Sequence, residues 1–451
     1  TLYLILNTQY LILNTQYLLL NIYYSQLFSY FCTMTDTLPT AQGILKARKV
    51  LEKIIETTPL KLNEHLSEEF KAKIFLKRED LQVVRSYKIR GAYNFMAQLT
   101  PAQKKQGVVC SSAGNHAQGF AMSCHILKIK GVVFMPITTP KQKVTAVERL
   151  GKKYIEIILI GDTYDDAKYA ALKYVQKENK IFVSPFDHRL IMEGQGTVAA
   201  EIIEQIGKKK IDYVFVPIGG GGLASGVITY LKEFSPDTKI IGVEPEGAPA
   251  MKESIQKNKT IILDKIDNFV DGAAVKQVGN ITLPICKNGL DDLVLVPEGK
   301  ICTKILHLYN EDAIVVEPAG ALSVAALDFY KEEIKGKTVV CIISGGNNDI
   351  QRMPDIKERS LIYEGLKHYF IIRFPQRSGA LKEFVNKVLG ASDDITLFEY
   401  TKKNSKESGP ALVGIEQKHR DDYEALLSRM KKYKVDYIPV QDNPMLFNFL
   451  I

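Results

Sequence analysis

From Gly43 to about Ile350, short apolar runs of β character alternate with stretches of helix length, and this limits the fold more than any other feature. Strands are expected at Gly107 to Cys110, Val132 to Met135, Tyr154 to Leu159, Tyr213 to Ile218, Ile240 to Val243 and Thr338 to Ile343. Helices are expected between them, among others at Gly114 to Leu127, Asp165 to Tyr174 and Gly196 to Ile206. Strands separated by helix-length segments pair mainly in parallel, so this region reads as α/β. It exceeds one typical domain, which points to two lobes with a cleft between them.

After Arg359 the texture changes. Strands at His368 to Phe374, Ile395 to Tyr400, Ala411 to Glu416 and Tyr437 to Val440 interleave with helices at Ala380 to Leu389 and Asp421 to Met430. The polar run Lys402 to Gly409 reads as a loop. The order βαββαβ is that of a separate ferredoxin-like α+β domain. The expected division is therefore a two-lobed region from 34 to 359 and a small domain from 366 to 451. Residues 1–33 fit neither. Leu4 to Tyr10 recurs unchanged as Leu11 to Tyr17, and no Lys or Arg precedes Lys46. Without a basic start this is no secretory signal, and its Asn, Thr and Gln residues break any membrane span. Met34 looks like a natural start, so 1–33 is expected to be an extension foreign to the native protein.

With 451 residues, 46% hydrophobic and 24% charged, the chain has the balance of a soluble globular protein. A net charge of +8 is modest at this length, and Lys208-Lys209-Lys210 reads as a solvated loop, so no nucleic-acid partner is expected. The six cysteines form no CxxC pair, as reduced thiols of a cytoplasmic protein would.

Four motifs carry the chemistry. In Ser86-Tyr87-Lys88-Ile89-Arg90-Gly91-Ala92, the helical spacing of Ala92, Phe95, Met96 and Leu99 puts Lys88 near a helix start, with Ser86 as the expected N-cap. The positive end of the helix dipole favours a neutral, nucleophilic amine there, the state needed for a Schiff base with an aldehyde. Alone, Lys88 reads far more readily as a solvated surface lysine; the motifs farther along reverse that. Gly219-Gly220-Gly221-Gly222-Leu223 joins a strong strand to a helix, where several N–H groups can converge on a phosphate; it fits neither the P-loop nor the GxGxxG pattern. Ser111-Ser112-Ala113-Gly114-Asn115-His116 also joins a strand to a helix and suits a carboxylate, although a simple capping turn explains it as well. His116 is expected to pack or cap rather than act as a base. Ser344-Gly345-Gly346-Asn347 ends an apolar strand, where parallel sheets place ligands, or makes one more tight turn.

With Glu317-Pro318-Ala319-Gly320-Ala321, these motifs occur in an order that resembles the fold-type II pyridoxal-phosphate enzymes, and most closely the biosynthetic threonine dehydratases (threonine ammonia-lyases). The resemblance runs from about Thr40 to Ile451, and its C-terminal portion resembles that family's ACT-like regulatory domain in a single copy. It implies a lyase that eliminates water and ammonia from L-threonine to give 2-oxobutanoate in isoleucine biosynthesis, with L-serine as a second substrate. It implies pyridoxal phosphate on Lys88, which also takes the Cα proton. Asn115 is then expected at the 3′ oxygen, Gly219, Gly220, Gly221, Gly222 and Leu223 at the phosphate, and Ser344 at the pyridine nitrogen. Ser112, Ala113 and Gly114 are expected to hold the substrate carboxylate, and no metal is expected. Isoleucine, with valine as an alternative, is the expected effector, and a homodimer or homotetramer the expected assembly. Within the fold, a racemase, a serine dehydratase and a β-replacing synthase compete; racemase relatives carry serine just before the Gly-Asn pair, where this chain has Ala113. A non-catalytic amino-acid sensor would not need all four motifs.

Overall fold

The structure, a computed structural model, describes residues 38–400 and 407–440. The repeated N-terminal stretch and most of the loop expected at Lys402 to Gly409 lie outside the described residues. In chain order the first strands are β1 (Leu60–Leu62), β2 (Lys73–Arg78), β3 (Val108–Ser111), β4 (Gly131–Met135) and β5 (Ile155–Leu159). There follow β6 (Ile181–Phe182), β7 (Tyr213–Pro217), β8 (Lys239–Pro245), β9 (Asp292–Val296) and β10 (Thr338–Ile343). The C-terminal domain holds β11 (Lys367–Pro375), β12 (Asp394–Tyr400), β13 (Ser408–Glu416) and β14 (Asp436–Pro439).

Two of the three sheets are the expected parallel ones. The large lobe is ordered β1-β2-β10-β7-β8-β9, parallel except for β1 at its edge. The small lobe is ordered β5-β4-β3-β6, parallel throughout. Their central strands are almost wholly apolar because helices cover both faces: β3, β4 and β7 are buried at every residue, with Ser111 at the end of β3 and Tyr213 the hydroxyls among them. Ion pairs cross the cleft, Lys143 to Asp271 at 2.6 Å and Lys276 to Asp165 at 3.0 Å.

The C-terminal sheet is antiparallel in the order β12-β13-β11-β14, the ferredoxin-like arrangement read from the strand order. Helices Ala380–Lys387 and Asp422–Lys432 contribute Phe384, Leu426 and Met430 to a core with Phe370, Phe374 and Val413. The helix Met353–Tyr363 joins the large lobe to this domain and runs through Arg359. Just before it, Arg352 bonds the Phe269 carbonyl at 2.6 Å, while Glu358 within it accepts from Lys367 of β11 at 2.5 Å.

The helix expected at Gly196 to Ile206 begins earlier, at Arg189. Gly194 and Gly196 look like breakers in the sequence, yet they sit inside this helix where other groups come too close for a side chain. A Cβ on Gly194 would stand 2.5 Å from the Arg90 carbonyl oxygen. Packing decides here, not helix propensity.

Candidate active site

Three of the four motifs end at helix N-termini that face the cleft, and none of these helices has a side-chain cap among the described residues. They are Lys88–Ala97, Asn115–Leu127 and Gly222–Phe234. Uncapped first-turn N–H groups are anion sites. Ser86 is not the N-cap expected of it. Tyr87 holds that position with helical torsions, and Ser86 pairs instead with Gly345 across an isolated bridge. The chain reaches Lys88 through this bridge and not through a free loop, which turns the serine inward. Its hydroxyl is buried and has no hydrogen-bond partner among the described residues.

Lys88 is the first residue of its helix, and its Nζ donates to the Pro185 carbonyl at 3.2 Å. Burial lowers its pKa to about 8, opposed by the negative charge of Glu317. A larger share of neutral amine at physiological pH follows, as a carbonyl-attacking nucleophile needs. His116 is buried 3.0 Å from the Val183 carbonyl, and burial, then Lys88, push its pKa down to about 3. It stays neutral, in the packing role expected for it.

Asn115 is held from both sides. Its Nδ2 donates to Glu317 Oε1 at 2.5 Å, and its Oδ1 accepts from Asn347 Nδ2 at 2.7 Å. Asn347 also donates to the Val84 carbonyl at 2.9 Å, which ties the end of β10 to the Lys88 loop. Glu317 is buried, and desolvation, then Asp271, push its carboxyl up to about 7 while the Asn115 bond pulls it back. Ser344 Oγ donates to the Ala319 carbonyl at 3.1 Å, and its own carbonyl accepts from Tyr87 N at 3.2 Å. Ser112 Oγ accepts from Gly114 N at 3.2 Å, and a Cβ on Gly114 would meet nothing within 4 Å. The Ala113 methyl packs on the small-lobe core.

The glycine loop needs its glycines. Gly221 has φ +92°, and a Cβ on Gly220 would stand 2.3 Å from Phe186. Leu223 buries its side chain in the large-lobe core, so only its backbone faces the loop. The Pro185-Phe186 pair touches both Lys88 and this loop, which brings the phosphate cradle to the amine.

The sequence alone assigns no role to Glu317, Asn347, Phe186 or Tyr87. Glu317 and Asn347 stand inside the motifs, and an acid beside Pro-Ala-Gly is the available signal. Nothing local marks Phe186. Among the described residues no cluster of His, Cys, Asp or Glu suits a metal ion.

A half-buried amine and an uncapped glycine cradle, close to a neutral amide, suit a phosphorylated aldehyde cofactor. Residues 51–345 match the family model described as pyridoxal-phosphate dependent enzyme. Residues 358–450 match the C-terminal regulatory domain of threonine dehydratase. The biosynthetic L-threonine dehydratase of Halalkalibacterium halodurans is 58% identical over 91% of this chain and 99% of that one. That of Bacillus subtilis is 56% identical over 92% and 98%. Among solved structures, processed threonine deaminase isoform 2 of Solanum lycopersicum matches with TM-score 0.67 and 37% identity, over 72% of this chain and 96% of that one. Maize serine racemase matches equally well in shape, TM-score 0.67, at 28% identity, over 72% and 99%. The chain belongs to the pyridoxal-phosphate-dependent biosynthetic L-threonine dehydratase family.

Proposed function

We propose that the chain deaminates L-threonine to 2-oxobutanoate and ammonia, with L-serine as a second substrate, and that Lys88 is its catalytic residue. The supporting observation is the half-buried Lys88 amine at an uncapped helix start, its pKa lowered to about 8 by desolvation. Pyridoxal phosphate, held through Lys88, supplies an electron sink for the bond broken at Cα. Gly219, Gly220, Gly221, Gly222 and the Leu223 backbone hold its phosphate by N–H groups and the helix dipole. Asn115, its amide fixed by Glu317 and Asn347, presents a neutral N–H to the ring oxygen. Ser344 offers a neutral hydroxyl to the ring nitrogen, which does not force a proton onto it. Ser112, Ala113 and Gly114 hold the substrate carboxylate by their N–H groups. Lys88 Nζ would take the Cα proton, and the ammonium so formed would return a proton to the β-hydroxyl, which leaves as water. Hydrolysis then releases ammonia.

Ala113 has a methyl where racemase relatives have a hydroxyl, so nothing at that position can protonate the opposite face of Cα. This favours elimination over racemisation.

The regulatory reading assigns 34–359 to catalysis and 366–451 to control by isoleucine or valine. The turn at 375–379 leads into helix Ala380–Lys387 through Gly379 at φ +83°, and Leu381 and Val385 beside it are each 41% exposed. N–H groups and an apolar surface together suit a small amino acid. A homo-oligomer in the cytoplasm completes the reading; the described cysteines are free and buried, and no described helix is long and apolar enough to cross a membrane. The test is release of 2-oxoacid from threonine and serine by the purified holoenzyme, with and without isoleucine. No release from either substrate would end the catalytic reading, and an unchanged rate with isoleucine and valine the regulatory one.

A further inference from the structure

Arg90 lies two residues beyond Lys88 on the same helix and is fully buried. Its guanidinium reaches Glu79 by two bonds of 2.7 Å, Glu201 at 2.6 and 2.9 Å, and Thr197 at 3.0 Å. Lys77 shares Glu201 at 2.5 Å, and Thr58 Oγ1 donates to Glu79. All four charged side chains are between 0% and 4% exposed. Buried ion pairs rarely gain stability over apolar residues of the same size, but they hold one geometry strictly.

The geometry held is that of Lys88. Glu79 and Arg90 flank the segment that carries it, so their fork-to-fork pair closes this segment into a loop. Within the loop, Tyr87 N donates to the Ser344 carbonyl, and the Arg85 carbonyl accepts from Gly346 N. The helix that follows has no side-chain cap to fix its first turn. It crosses helix Arg189–Ile206 where Gly91 and Gly194 meet, with no room for a Cβ on either. Gly91 N also donates to Gln195 Oε1 at 3.1 Å and Asn94 Nδ2 to the Leu190 carbonyl at 2.7 Å across this crossing, both on the far side of Lys88 from the Glu79 end of the segment. The Arg90 fork adds a bond to Glu201 on that second helix and at the same time holds Glu79, which precedes Lys88, so it ties the crossing to the start of the segment.

We propose that Arg90, clamped between Glu79 and Glu201, is a positioning residue that ties the start of the catalytic segment to the helix crossing and thereby sets the place of Lys88 Nζ in the cleft. This rests on Lys88 being the cofactor lysine. The test compares Arg90→Lys with an apolar replacement of the whole quartet, Lys77→Met, Glu79→Leu, Arg90→Met and Glu201→Leu. The holoenzymes are read by Tm, by kcat and KM, and by visible circular dichroism of the bound cofactor. The quartet variant is expected to melt close to the parent. Its kcat should fall by about 100-fold, as misplacement of a reacting group by about 1 Å costs, and its dichroic band should weaken. A quartet variant with parental kcat and dichroism overturns the proposal, for the network would then serve stability alone. If that variant does not fold, Arg90→Lys decides, because it keeps the charge and loses the fork. Reduced kcat with a weakened band supports the clamp, and parental values refute it. Lys88→Ala is the control: a visible band that survives there refutes the cofactor lysine and leaves the clamp without a purpose.

Discussion

Arg90 and Arg377 each hold a glutamate, in opposite surroundings. The Arg90–Glu79 pair is sealed in the large lobe with both side chains 0% exposed, whereas Arg377 and Glu383, at the surface of the C-terminal domain, are 61% and 40% exposed. The strands differ in the same way. β7 is buried at every residue, while β13 alternates between exposed and buried at its start. In the catalytic lobes, helices on both sheet faces exclude water, so the Arg90 and Glu79 charges pair fully there, while desolvation shifts Lys88 and Glu317 toward their neutral forms. In the C-terminal domain the Arg377–Glu383 pair is solvated, although Asp393, 1% exposed, is held by Arg429 at 2.6 Å. Precision belongs to the first region and adjustability to the second, as expected of a site and its control module.

The largest expected effect lies at the centre of the dry region. Lys88→Ala should abolish 2-oxoacid release and the visible band of bound cofactor while leaving the apoprotein's Tm nearly unchanged, since among the described residues the amine it removes bonds the Pro185 carbonyl and otherwise only lies over the Tyr87 ring. Measurable turnover in that variant would break the comparison at once, because the buried region would not then be the catalytic one.

The regulatory contrast comes next. Helix Met353–Tyr363 belongs with the catalytic lobes through Arg359 and the preceding Arg352, which both lie over Phe269. Ending the chain after Glu364 keeps this helix and the Thr303–Glu364 bond of 2.9 Å. The shortened enzyme should deaminate threonine at a rate isoleucine no longer lowers. Persistent inhibition would move the effector site into the catalytic lobes.

Removing one partner separates the regions again. Glu79→Leu leaves Arg90 and Lys77 sharing Glu201 and should cost about 3–5 kcal/mol in denaturant unfolding. The same change at Glu383 should leave the unfolding midpoint where it was. Equal effects would mean that burial does not govern the value of these charges.

The strand–helix rhythm and the C-terminal strand order are legible in the sequence because both are set by side-chain period, which a linear reading detects. The placement of Asn115, Ser344 and the four glycines is legible because it is local: each follows a strand or opens a helix. The Ser86 cap misleads because a hydroxyl before a helix looks the same whether it faces the helix or a bridge to Gly345, more than 250 positions away in the chain. Glu317 and Phe186 matter through what stands opposite them, and contact across the cleft leaves no mark on the neighbouring residues. Gly194 misleads for a related reason: its use is the approach of Arg90, not a turn.

The smallest effects are in acid titration, and here the two regions should differ in sign. Burial raises Glu317 from the usual 4.5 to about 7, so in the apoprotein its protonated form favours the fold. That contribution is present below about pH 4.5 and is lost as pH rises through about 7, a difference on the order of 3 kcal/mol. Glu317→Gln should flatten the apoprotein's stability across this window. Lys387 and Arg377 lower Glu383 from 4.5 to about 2, so its contribution is present above about 4.5 and is lost as pH falls toward 2. Because Glu383 is solvated, Glu383→Gln should flatten the acid limb only slightly, and less still at high salt, where exposed pairs are screened. Denaturant melts of the two variants and the parent between pH 3 and 8, at low and high salt, give the comparison. A salt-sensitive slope at Glu317, or a salt-insensitive one at Glu383, would show the dry and wet assignments to be reversed.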